Sequence, residues 1–144
     1  MPNPIRVFVC DDHTLLRQAL QTFIEIEPGL LWVGGAGYGE DALPQVAGLK
    51  PDVILMDLFM PGLAEVELIH ALKLASPASK ILVFTSLLEE ELVFSCLSAG
   101  ANGYLLKNCA PEALAQAIRL VAEGSTLIPA HVSRLLAQKA PGGA

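Results

Sequence analysis

Asp11 and Asp12 stand side by side, and Asp57, Thr85 and Lys107 each close a short apolar run. Three carboxylates, a hydroxyl and an ammonium are the groups that phosphoryl chemistry uses. A carboxylate attacks phosphorus, cations balance the charge, and a hydroxyl donates to a phosphate oxygen. Each also has an ordinary explanation when taken alone. An Asp pair before a helix caps it and suits its dipole, and a strand-end lysine is usually a solvated charge. Their company argues for more. Two adjacent carboxylates facing a third repel one another unless a hard divalent cation neutralises them. Mg²⁺ suits such a place, because it prefers oxygen ligands, keeps several waters and takes one or two carboxylates together with phosphate oxygens. Thr85 has the small Ser86 beside it, so a phosphate can approach, and its hydroxyl can donate to a phosphate oxygen only once that oxygen is present.

These groups converge only if the runs before them are strands of one sheet. Residues 5–10 precede Asp11, 53–56 precede Asp57, 81–84 precede Thr85 and 104–106 precede Lys107. Parallel strands would put all four endings on one carboxyl edge, where open α/β sheets place their sites. Helical spacing in Leu15, Leu16, Ala19, Leu20, Phe23 and Ile24, and again in Val66, Leu68, Ile69, Leu72 and Leu74, predicts two core-facing stripes. A second strand is expected over 30–35 and a second helix over 40–49, with Pro44 early enough for the first turn or for a bend. Residues 89–99 and 111–123 complete the helices, the last with Pro111 at its N-terminus. Strict alternation with near-continuous apolar strands predicts a parallel sheet covered on both faces.

The stretches Asp-Asp-His from Asp11, Gly-Tyr-Gly-Glu-Asp-Ala-Leu from Gly37, Asp-Leu-Phe-Met-Pro-Gly from Asp57 and Gly-Tyr-Leu-Leu-Lys-Asn from Gly103 carry a resemblance. From about residue 5 to about 123 the chain resembles the receiver domains of two-component response regulators. It is most similar to the NarL/FixJ-type branch, whose members usually add a helix-turn-helix DNA-binding domain. The resemblance implies a flavodoxin-like (βα)5 doubly wound sheet of strand order 2-1-3-4-5, a receiver over 1–124 and a linker over 125–144. It implies that Asp57 takes a phosphoryl group from the phosphohistidine of a sensor kinase. Asp12 and Asp57 would ligate Mg²⁺ directly, Asp11 would act through water, and the backbone carbonyl of Phe59 would add a ligand. Lys107 would balance the added charge, ~−1.5 to −2 on a phosphoryl group. Tyr104 would be the switch partner of Thr85, turning inward when Thr85 moves to the phosphate. Homodimerisation would follow phosphorylation, and DNA would be reached only through a further C-terminal domain.

Composition narrows the remaining classes. A net charge of −6 opposes direct binding to phosphate backbones. Cys10, Cys96 and Cys109 are odd in number and lack metal-ligand spacing. No run reaches the ~18 residues of a membrane span and no signal-peptide pattern opens the chain, so a soluble, cytoplasmic protein without a membrane role is expected. Residues 129–139 could form a short amphipathic helix with Val132, Leu135 and Leu136 on one side, before a Pro/Gly tail. A piece cut in the linker of a longer regulator is expected over a stand-alone receiver. The glycine-rich run 34–39 raises a dinucleotide site, but its spacing is not G-x-G-x-x-G. Haloacid-dehalogenase-like phosphatases also form an aspartyl phosphate, but carry an acid two residues after the nucleophile, where this chain has Phe59. Turnover, and hence an enzyme, is not expected; a phosphorylation-independent docking module is the other alternative. His13, without a second histidine at ligand spacing, is expected to be a structural residue opening the first helix. Phe59 and Leu87 are expected to flank the site mouth and slow hydrolysis of the phosphate. Two departures from the family pattern bear on the loops: Ala64-Glu65 replaces the common Asp-Gly, and Asn108 replaces a cis proline after the site lysine.

Overall fold

The computed structural model describes residues 3–58, 60–86 and 89–128, together with 133, 134 and 137. Five strands alternate with five helices: β1 Ile5–Cys10, α1 Thr14–Ile26, β2 Leu30–Ala36, α2 Gly39–Leu49, β3 Val53–Met56, α3 Glu65–Ala75, β4 Lys80–Thr85, α4 Glu90–Ala99, β5 Gly103–Leu106 and α5 Pro111–Ala122. The strands form one sheet of order β2-β1-β3-β4-β5, and all four pairings are parallel. This is the flavodoxin-like arrangement that the family resemblance implied. The expected linker helix over 129–139 lies largely outside the described residues.

Strand alternation divides the core in two. Phe8, Cys10, Ile54, Met56, Ile81, Val83 and Tyr104 face one side, packed on Val46, Leu68, Ile69, Leu72, Val93 and Cys96 of α2, α3 and α4. Val7, Val9, Val53, Leu55, Leu82 and Phe84 face the other, packed on Leu20 and Ile24 of α1 and Leu114, Ile118 and Val121 of α5. With both faces covered, the central strands must be apolar at every position, which is why they read as unbroken runs.

The helix stripes are narrower than their spacing predicts. Leu20 and Ile24 are buried in α1, but Leu15 is 81 % exposed and Ala19 is exposed too. Leu68, Ile69 and Leu72 are buried in α3, but Leu74 is 74 % and Val66 39 % exposed. A two-sided sheet gives each helix a single narrow contact line, so residues at the stripe margin remain outside. Helix α2 starts one residue before the expected boundary, and Pro44 therefore lies inside it, beyond the first turn. Its missing N–H leaves the Glu40 carbonyl without a helical donor.

The loop departures resolve simply. Ala64 takes φ −61°, and the left-handed conformation in that loop falls on Gly62 at φ +103°; no glycine is needed at 64 or 65. Among the described residues there is no cis peptide bond, so Asn108 fits the ordinary geometry. Beyond α5 the chain turns back at Gly124 and Leu127 makes a single parallel bridge to Gly103, with the Tyr104 N–H donating to the Leu127 carbonyl at 2.8 Å. The sheet edge thus holds residues counted as linker from sequence.

Candidate phosphoacceptor site

Every strand that carries a candidate residue delivers it to the same edge. The Asp57 N–H donates to the Cys10 carbonyl at 2.9 Å, which ties the end of β3 to the end of β1. The Lys107 N–H donates to the Thr85 carbonyl at 2.8 Å, which ties β5 to β4 in the same way. Asp11, Asp57 and Thr85 are buried at 2, 4 and 0 % exposure, while Asp12 lies open to solvent.

The charges meet within a few ångströms. Lys107 Nζ lies 2.9 Å from Asp11 Oδ2 and 3.4 Å from Asp57 Oδ2. Asp57 Oδ1 accepts the Leu58 N–H at 2.9 Å, and Asp11 Oδ1 accepts the His13 N–H at 2.9 Å. The lysine expected to balance a phosphate therefore bridges two buried carboxylates. Asp11, Asp12, His13 and Asp57 each offer a ligand atom within 4.8 Å of the others.

A hard divalent cation fits this donor set. Three carboxylates stand against the one ammonium of Lys107, and their oxygens are acceptors only. Lys107 engages Asp11 more closely than Asp57, at 2.9 against 3.4 Å, and does not pair with Asp12 among the described residues. The carbonyl of Phe59 lies outside the described residues, as does the side chain of Leu87.

The hydroxyl side of the site differs. Thr85 Oγ1 is buried and, among the described residues, has no hydrogen-bond partner. Tyr104 is 1 % exposed, more enclosed than an aromatic with its hydroxyl in water. Burial, with Cys96, Glu89 and Asp57 nearby, pushes its phenol up to about 12. Burial also raises the Cys10 thiol to about 12, with the Asp11 carboxylate adding to it; this thiol is no nucleophile at neutral pH.

Two residues at the site were not legible as such. His13 does open α1, at the N-cap position, but without a side-chain capping bond. Its Nδ1 instead lies 3.1 Å from Asp11 Oδ1 and 3.4 Å from Asp12 Oδ1. Arg17 Nη1 donates to the Asp11 carbonyl. Nothing in ligand spacing signals either contact; the signal available was adjacency for His13 and one helical turn from it for Arg17.

Known proteins share the sequence pattern and the fold of this chain. Residues 7–119 match the family model described as the response regulator receiver domain. The nitrate/nitrite response regulator protein NarP of Escherichia coli K12 is 36 % identical over 142 residues, 99 % of this chain and 66 % of NarP. NarL of the same strain is 36 % identical over 135 residues, 94 % of this chain and 62 % of NarL. The chain thus spans a little under two-thirds of these relatives. The crystal structure of a LuxR-family two-component response regulator from Aurantimonas sp. SI85-9A1 superposes with a TM-score of 0.85 at 28 % identity, covering 95 % of this chain and 98 % of that one. Among the described residues no helix is long and apolar enough to cross a membrane. With the sheet order, the edge geometry and these likenesses in agreement, the chain belongs to the response regulator receiver domain family, in its NarL/LuxR-type branch.

Proposed function

We propose that this receiver takes a phosphoryl group from the phosphohistidine of a sensor histidine kinase onto Asp57, with Mg²⁺, and thereby switches a dimerisation or effector surface. The observation that carries the reading is the buried Thr85 hydroxyl, which has no hydrogen-bond partner among the described residues. A buried orphan hydroxyl costs ~1–3 kcal/mol, and a phosphoryl oxygen on the neighbouring strand end would supply its acceptor.

Asp57 is the nucleophile. Its carboxylate oxygen attacks phosphorus in line, the P–N bond to the donor imidazole breaks, and the electron pair leaves with the imidazole. Asp12 and Asp57 would hold Mg²⁺, with Asp11 acting through water. When bound, the ion neutralises charge on the transferring group. Lys107, already at 3.4 Å from Asp57 Oδ2, moves from carboxylate to phosphoryl oxygen as charge accumulates. Thr85 then donates its hydroxyl to a second phosphoryl oxygen. Tyr104 is inward in this structure, so the inward rotamer is one of the two arrangements whose populations the phosphate shifts. The molecule would act in the cytoplasm as part of a regulator that reaches DNA through a separate domain, since a net charge of −6 opposes binding of this one to a nucleic-acid backbone.

Incubation with acetyl phosphate and Mg²⁺ tests the reading. The expected product is one acid-stable, base-labile phosphate on Asp57, absent from Asp57→Asn. Equal labelling of that variant contradicts the assignment. Release of inorganic phosphate in rapid multiple turnovers would favour a phosphatase instead.

A further inference from the structure

The glycine-rich turn after β2 takes no part in the phosphoryl chemistry, and neither does Arg17, yet the two share one space. We infer that Arg17 is a positioning residue for the acid loop: seated against Gly35 and Gly37, its guanidinium holds the Asp11 carbonyl and so sets the direction in which Asp12 presents its carboxylate to a divalent cation. The inference rests on the Mg²⁺-dependent reading above.

Asp11 is pinned from two sides. Its N–H donates to the carbonyl of Ala36 at 3.0 Å, and its own carbonyl accepts from Arg17 Nη1. The Asp11–Asp12 peptide is planar, so fixing that carbonyl fixes where the Asp12 backbone starts. Asp12 has little else to orient it. Its side chain is exposed, and its closest recorded partner is His13 Nδ1 at 3.4 Å.

The glycines explain how an arginine fits beside them. A Cβ on Gly37 would come within 3.2 Å of Arg17 Nη1, and one on Gly35 within 3.2 Å of Arg17 Cδ. Neither residue has positive φ, so backbone freedom is not what requires glycine there; Arg17 is the nearest group at Gly37, and at Gly35 the Trp32 ring is closer still, at 2.9 Å. Gly34 leaves room instead for the ring of Phe8 at 3.1 Å. The run that suggested a dinucleotide loop is therefore filled by the protein's own side chains.

Arg17 is not simply a counter-charge. It shares a cavity of about 370 Å³ with Asp12 and Asp41, but among the described residues it forms an ion pair with neither, and its hydrogen bond goes to a neutral carbonyl. The two roles predict opposite signs. Removing a cation beside acids strengthens their attraction for Mg²⁺, whereas removing a positioning contact weakens binding.

Calorimetric titration of Mg²⁺ into the wild type, Arg17→Ala, Gly37→Ala and Asp12→Ala separates them. Gly37→Ala leaves every charge in place and displaces the guanidinium by contact alone. Both Arg17→Ala and Gly37→Ala should bind Mg²⁺ about tenfold more weakly, as loss of a group that orients a ligand typically does. Saturating Mg²⁺ should return their acetyl phosphate labelling rates to the wild-type value. Unchanged or tighter Mg²⁺ binding by Arg17→Ala overturns the positioning role, and unchanged binding by Gly37→Ala overturns the cradle. A wild type whose Mg²⁺ heat survives in Asp12→Ala would refute the underlying site instead.

Discussion

The two ends of the carboxyl edge are in different states. At the acid end, each buried carboxylate already has partners: Asp11 takes His13 and Lys107, and Asp57 takes the Leu58 N–H and the approach of Lys107. At the hydroxyl end, the Thr85 oxygen is buried with none among the described residues. In the first region the buried carboxylates share one ammonium, so a bound ligand must exchange contacts with Lys107. The second is incomplete and has most to gain from a phosphoryl oxygen. Under the proposed function, such a site holds Asp57 by existing contacts and leaves the sensing of a phosphoryl group to the neighbouring strand.

The largest effect that tests this contrast lies at the acid end. Lys107→Ala leaves Asp11 and Asp57 buried without their ammonium, and should cost about 2 kcal/mol of folding stability without Mg²⁺, below the range for fully buried pairs because Lys107 keeps 16 % of its side chain exposed. Saturating Mg²⁺ should recover most of that loss in a urea titration; a loss that Mg²⁺ leaves untouched would mean that Lys107 is needed for packing instead. Asp12→Ala should weaken Mg²⁺ binding at least tenfold, about 1.4 kcal/mol, and more than His13→Ala does, because Asp12 offers an oxygen ligand. Equal losses from the two would remove the distinction between them.

A smaller effect belongs to Tyr104. Its folded phenol is raised from the ordinary 10.0 to about 12, so the unfolded chain loses its proton first as pH rises. Stability from this group is complete below pH ~10 and declines as pH rises toward about 12. Tyr104→Phe should flatten that alkaline decline. An unchanged slope would assign it to other groups, such as the Cys10 and Cys96 thiols, which burial also raises to about 12.

The strand order and the residues at the carboxyl edge were legible in the sequence, for a definite reason. Strands buried on both faces must be apolar throughout, so Asp57, Thr85 and Lys107 stood out as the first residues released from that constraint. Which helix residues stay outside was not legible, because Leu15, Val66 and Leu74 satisfy helical spacing and fail only against the width of the contact. The contacts of His13 and Arg17 were hidden as well. His13 at the N-cap and Arg17 in the first turn of α1 both reach back to the acid pair, where side-chain direction, and not spacing, decides who meets whom. The orphan state of Thr85 could not be read from residue types at all, since a threonine at a strand end usually finds a carbonyl or water.

If the Thr85 hydroxyl is held for a phosphoryl oxygen, Thr85→Val should reveal it, because valine keeps the shape and removes the hydroxyl. Unfolding free energies of both proteins would be measured in denaturant, with Mg²⁺ alone and with Mg²⁺ plus beryllofluoride. The account predicts that Thr85→Val is at least as stable as the wild type with Mg²⁺ alone, by up to about 1 kcal/mol, and gains less than the wild type when beryllofluoride is added. A variant that starts less stable, or gains as much, would contradict it.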